Sequence, residues 1–91
     1  MYVIGDIGNT ETKICVYSRQ KKIIKKIILK SKLIDNQYLK KNLSIIFKKE
    51  TVIKKVVFSS VVPKLFKLIK FFLFKNFKLN VFEIKELNIN K

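Results

Sequence analysis

The apolar residues of this 91-residue chain change period part-way along, and that change restricts the fold more than any other feature. Residues 2 to 7 (YVIGDI) and 12 to 18 (TKICVYS) are short runs rich in β-branched and aromatic side chains. Between them lies GNTE, whose Gly8 and Asn9 suit a tight turn joining antiparallel strands. Ile23, Ile24, Ile27 and Ile28 are spaced by lysine pairs. That spacing fits a helical stripe, but the β-branched density and the short gap after Tyr17 favour a third strand through Leu29. From Asp35 the spacing becomes helical: Leu39, Leu43, Ile46 and Phe47 fall on one side, with Lys40, Lys41, Ser44 and Lys48 on the other. A fourth strand is expected over Val52 to Ser60, where VVFSS shows the weak alternation of a strand covered on both faces. Pro63 stands where a first helical residue is tolerated, and Val62, Leu65, Phe66, Ile69, Phe72 and Leu73 recur at helical spacing, predicting a second helix to about Asn76. Leu79 to Ile84 reads as a fifth strand. The order predicts one α/β domain: a three-stranded antiparallel meander followed by α-β-α-β, with residues 52 to 60 beside the first strand.

Length and charge then limit the function. A chain this short buries only about 60 to 65% of its unfolded surface, which excludes a large enzyme with a private interdomain cleft. The net charge is +15, from 21 Lys and Arg against 6 Asp and Glu. All the basic residues except Arg19 are Lys, Ala is absent, and Lys, Ile, Phe and Asn make up more than half the chain. That is the signature of AT-rich codons. A nucleic-acid reader would favour Arg and cluster it, so a nucleic-acid or acidic-membrane surface is the weaker reading of the charge. The longest apolar stretches fall far short of the ~18 residues that span a bilayer, and the start, MYVIGDIGN, has no basic region of a leader peptide. Cys15 alternates with Ile14 and Val16 and reads as a core or half-buried thiol. There is no His to activate it, and a reducing cytoplasm fits.

The segment that carries chemistry is DIGNTETK, Asp6 to Lys13. An Asp ending a strand, a Gly without a Cβ to block an oxyanion, amide and hydroxyl side chains in the turn, and a Lys on the returning strand make a cup for a phosphate with its metal. Asn9, Thr10, Thr12 and the turn N–H groups would donate, Lys13 would add charge, and Asp6 would hold Mg²⁺ directly or through water. An Asp and an Asn-containing turn also serve in any hairpin, so the residues alone leave both readings open.

DIGNTETK resembles the first phosphate-binding motif of the acetate-kinase, sugar-kinase, heat-shock ATPase and actin superfamily, and in particular that of the type III pantothenate kinases. SSVVP, Ser59 to Pro63, is similar to the strand-to-helix segment that follows at this distance in the same family. The resemblance implies an actin-like, ribonuclease H-like half domain and phosphorylation of pantothenate by ATP. It also implies Mg²⁺, a monovalent cation such as K⁺, and a homodimer or a complementing second lobe. By the same resemblance Asp6, Ile7, Gly8, Asn9, Thr10, Glu11, Thr12 and Lys13 form the ATP-phosphate segment, with Asp6 placing the metal and no chemical role for Glu11. Ser59, Ser60 and Pro63 would set the strand-to-helix turn. Phe66, Phe71, Phe72 and Phe74 are expected in core or dimer packing rather than as a nucleotide platform. Family members continue through a Gly-x-Asp-Arg motif implied to supply the base, then through a second half. Here only Glu83 in the last predicted strand and Glu86 after it remain as acids, so residues 1–91 are expected to be a single N-terminal lobe without the second lobe. A non-catalytic kinase-like accessory factor with a basic nucleic-acid surface is the alternative.

Overall fold

The computed structural model describes residues 1–47 and 52–84. Its elements are β1 (Tyr2–Ile7), β2 (Glu11–Tyr17), β3 (Ile23–Lys30), a 3₁₀ turn (Ser31–Leu33), α1 (Asn36–Leu43), β4 (Lys55–Ser60), α2 (Pro63–Phe77) and β5 (Val81–Glu83). The strands form one sheet in the order β3-β2-β1-β4-β5. The first three strands pair antiparallel, while β1 with β4 and β4 with β5 pair parallel. The meander, the α-β-α-β continuation and the place of β4 beside β1 are as the sequence predicts. The architecture is consistent with an actin-like N-terminal half domain.

One face of the sheet is the core. Val3 and Ile7 of β1, Ile14 and Val16 of β2, Leu29 of β3, Val56 and Phe58 of β4 and Val81 of β5 join Leu39 and Leu43 of α1 and Phe66, Ile69, Phe72 and Leu73 of α2 in one buried cluster. Period-2 burial in β1, β2 and β4 puts the opposite parity on the other face, and that face has no helix over it among the described residues. This corrects the reason expected for β4. Its central position supplies hydrogen-bonding neighbours on both edges, but only its Val56 and Phe58 side is covered, and Val57 is half-exposed.

Several boundaries also differ. The fourth strand begins at Lys55 rather than Val52, and β5 is limited to Val81–Glu83. α1 ends at Leu43, and a tight turn follows in which the N–H groups of Ile46 and Phe47 both reach the Leu43 carbonyl, 3.0 and 2.9 Å. Ile46 and Phe47 are buried as the helical spacing required, although they lie outside the helix. The isoleucines of β3 behave differently from a core strand: Ile23, Ile24 and Ile28 are exposed, because only the Leu29 end of this edge strand is deeply buried. The phenylalanines divide, with Phe66 and Phe72 in the core and Phe71 and Phe74 exposed at 61% and 51%. Lys48 and Glu86 lie outside the described residues.

Candidate phosphate-binding site

The turn between β1 and β2 lies at the carboxyl end of β1, beside the carboxyl end of its parallel neighbour β4. From this pair the chain leaves in opposite directions across the sheet, β1 to β2 and β4 through α2 to β5, and such a divergence opens a crevice where α/β sheets bind ligands. Asp6 and Lys13 stand opposite one another in register, exposed on the uncovered face. On the other side Asp6 pairs with Ser59 of β4, whose hydroxyl donates to Asp6 Oδ1 at 3.0 Å. Ser59 therefore acts on the carboxylate. The strand-to-helix turn is made by Ser60, whose Oγ accepts from the Val62 N–H at 3.0 Å, and Pro63 opens α2 at its first turn.

The eight residues of the segment divide by side chain. Asp6, Asn9, Thr10, Glu11 and Lys13 are exposed, Gly8 is half-buried, and Ile7 and Thr12 are fully buried on the helix-covered face. The turn is closed by the Gly8 N–H donating to the Glu11 carbonyl at 2.9 Å. Neither Gly8, Asn9 nor Thr10 has a positive φ, so the left-handed conformation that Asn and Gly favour in two-residue hairpins is not what places them here. Gly8 is instead required by space: a Cβ there would sit 2.9 Å from the Glu11 carbonyl oxygen. The Asn9 and Thr10 N–H groups donate to no group among the described residues.

No group of three or more His, Cys, Asp or Glu converges among the described residues. Mg²⁺ bound to a nucleotide commonly uses one or two carboxylates and takes its other ligands from phosphates and water. The exposed Asp6 carboxylate beside an open backbone turn fits that donor set.

The sequence model of the type III pantothenate kinase family matches residues 2–91. The chain belongs to this family. A type III pantothenate kinase from Pelagibacter ubique (strain HTCC1062) is 46% identical over 91 residues, which is 100% of this chain and 37% of that protein. The chain thus spans well under half the length of this pantothenate kinase.

Three residues beside the turn escape a reading of this family's motif. Lys30 and Lys32 join Asn9, Thr10 and Glu11 around a surface cavity of ≈ 370 Å³, so two lysines border the turn. Ser31, between them, is buried under it. Their signal in the sequence was only that β3 ends there, since nothing local to KSK marks contact with a loop some twenty residues earlier.

Proposed function

We propose that residues 1–91 form the N-terminal lobe of an ATP-dependent pantothenate kinase, and that Asp6 to Lys13 hold the ATP phosphates. The observation that carries this reading is the placement of Asp6, braced by Ser59, at the parallel β1–β4 junction next to a turn with unengaged N–H groups. In the reaction, the hydroxyl oxygen of pantothenate bonds to the γ-phosphorus as the bond to the β,γ-bridging oxygen breaks. The products are 4′-phosphopantothenate and ADP, and the hydroxyl proton goes to a base outside this lobe. The work of the lobe is positioning and charge compensation, which is most of what phosphoryl transfer asks of a protein. The turn N–H groups and the Asn9 and Thr10 side chains bind phosphate oxygens, Lys13 with Lys30 and Lys32 offsets their charge, and Asp6 orients Mg²⁺. When bound, Mg²⁺ neutralises charge on the phosphates. A monovalent cation such as K⁺, assembly as a homodimer or with a complementing second lobe, and a cytoplasmic location belong to the same proposal. No helix among the described residues is long and apolar enough to cross a membrane.

The excess charge of +15 supports a second reading, diffuse attraction of polyanions including nucleic acid. Titration of the parent chain and Asp6→Ala with Mg²⁺-ATP at two salt concentrations separates the two. In the kinase reading, binding requires Mg²⁺, shifts the amide signals of Gly8 to Lys13, and weakens at least about tenfold in the variant, since a charged contact contributes ~1.5–3 kcal/mol. Diffuse attraction predicts equal or tighter binding by Asp6→Ala, steep weakening with salt, and no shifts confined to the turn. That second result would refute the phosphate assignment.

A further inference from the structure

Ser31, 3% exposed at the head of the 3₁₀ turn, bonds to two residues of the β1–β2 turn and to Thr12 of β2. Its N–H donates to the Thr10 carbonyl at 3.0 Å. Its hydroxyl donates to the Gly8 carbonyl at 2.7 Å and lies 2.9 Å from Thr12 Oγ1. A serine hydroxyl has one proton, and here that proton is committed to Gly8. The proton between the two hydroxyls must therefore come from Thr12. The chain of donation runs from Thr12 to Ser31 to the Gly8 carbonyl, and it leaves no buried side-chain polar atom unpaired among the described residues.

Two consequences follow for an anion at the turn. The Gly8 carbonyl, which in a closed hairpin would accept the Glu11 N–H, is bonded to Ser31 instead, and the Thr10 carbonyl is held by the same residue. Two carbonyl oxygens of the turn are thus engaged by Ser31, while the Asn9 and Thr10 N–H groups stay unengaged among the described residues. The hydroxyl proton of Thr12, meanwhile, is used inside the protein. We infer that Ser31 is the positioning residue of the phosphate turn, and that Thr12 anchors the Ser31 hydroxyl rather than donating its own to a phosphate. The part of this inference that concerns phosphate rests on the functional reading above.

The test has two arms, both on the full 91-residue chain. Without nucleotide, amide hydrogen exchange in Ser31→Ala is expected to be at least about tenfold faster at Gly8, whose N–H bond to Glu11 closes a turn that loses both hydrogen bonds of the Ser31 hydroxyl, with Ile14 and Val57 in the sheet affected much less. Thr12→Val should accelerate Gly8 exchange in the same way, and Thr12→Ser, which keeps the hydroxyl, should restore protection. In the second arm, Mg²⁺-ATP affinity of Ser31→Ala at ~150 mM salt should fall about tenfold under conditions where the variant is still folded, its melting temperature being lowered by several degrees through the lost hydrogen bonds. Gly8 exchange that is unaltered in both Ser31→Ala and Thr12→Val overturns the inference, as does acceleration spread evenly through the sheet. Should Ser31→Ala fail to fold, the Thr12 pair decides the same point. A parent chain that does not bind Mg²⁺-ATP would refute the phosphate reading, and the exchange arm would still support or overturn the positioning of the turn.

Discussion

Gly5 is three positions before the turn on the helix-covered face of β1, directly opposite Phe58 in the parallel pairing. A Cβ at Gly5 would come within 2.1 Å of Phe58 Cε2, and the ring is fully buried. The absence of a side chain at Gly5 is what lets the largest fully buried residue of the core lie across β1, immediately behind Asp6 and Ser59. Gly5→Ala is expected to destabilise the chain by about 1–3 kcal/mol, the usual cost of overpacking a filled core, and to displace the Asp6–Ser59 pair. Chemical denaturation reads the first effect and the amide shifts of Asp6 and Ser59 the second. A loss smaller than ~0.5 kcal/mol, the range of ordinary surface changes, would show that the ring moves aside. The sequence displayed Gly5 plainly but gave no sign of its partner, because the contact joins residues more than fifty positions apart.

At the scale of elements, the helices are bounded by local chemistry. Asp35 caps α1, its Oδ1 accepting the Tyr38 N–H at 2.8 Å, and the Tyr38 hydroxyl accepts the Lys30 N–H at 3.1 Å, tying the helix to the end of β3. α2 ends on Lys78 at φ 58°, with the Lys78 N–H bonded to the Phe74 carbonyl at 2.9 Å and the Leu79 N–H to the Leu73 carbonyl at 3.2 Å. This is a left-handed helix end of the kind usually given to glycine, since a Cβ there meets the following carbonyl at a cost of roughly 1–2 kcal/mol. Lys78→Gly is therefore expected to stabilise the chain by about 1 kcal/mol and raise its melting temperature by several degrees. A lower melting temperature would mean that the lysine stem contributes packing that outweighs the strain. Here the sequence was legible as far as its periodicity reached. The buried set of α2 matched the helical spacing of Phe66, Ile69, Phe72 and Leu73, and the α1 pattern predicted burial of Ile46 and Phe47 while overstating the helix.

For the whole molecule, the uncovered face of the sheet sets the limits. Lys26, Cys15, Ile4, Val57 and Phe82 stand side by side across all five strands in register, with Ile4 and Phe82 exposed at 48% and 56%. The row beside it toward the turn carries Ile28, Lys13, Asp6 and Ser59, so the candidate site is the polar margin of a largely apolar face. On the proposed reading, in which the turn holds phosphate and the base lies outside these residues, the chain positions a phosphate without taking the proton of an acceptor hydroxyl. The sequence contains no Gly-x-Asp-Arg, and a positioned base is worth about 10²–10⁴-fold. The isolated 91-residue chain is accordingly expected to show no pantothenate-dependent ADP release in a coupled assay. Clear turnover that depends on pantothenate would mean that a carboxylate within this lobe, Asp6 or Glu11 beside the turn or Glu83 on β5, serves as the base.

Local sequence determined the elements and their order, because hydrophobic period, turn residues and caps act over a few residues and leave their mark in a few residues. It also placed the candidate site on Asp6 to Lys13, since a phosphate cup built from one hairpin is contiguous in the chain. Only the tertiary structure decided which side chains of that hairpin face outward, because the parity of β1 and β2 has meaning only once α1 and α2 cover one face of the sheet. That choice sent Thr12 inward to Ser31 and Asp6 outward to Ser59, joining residues 19 and 53 positions apart. Such pairings are fixed by strand register and by the need to satisfy every buried hydroxyl, and neither condition is written in any local run of residues.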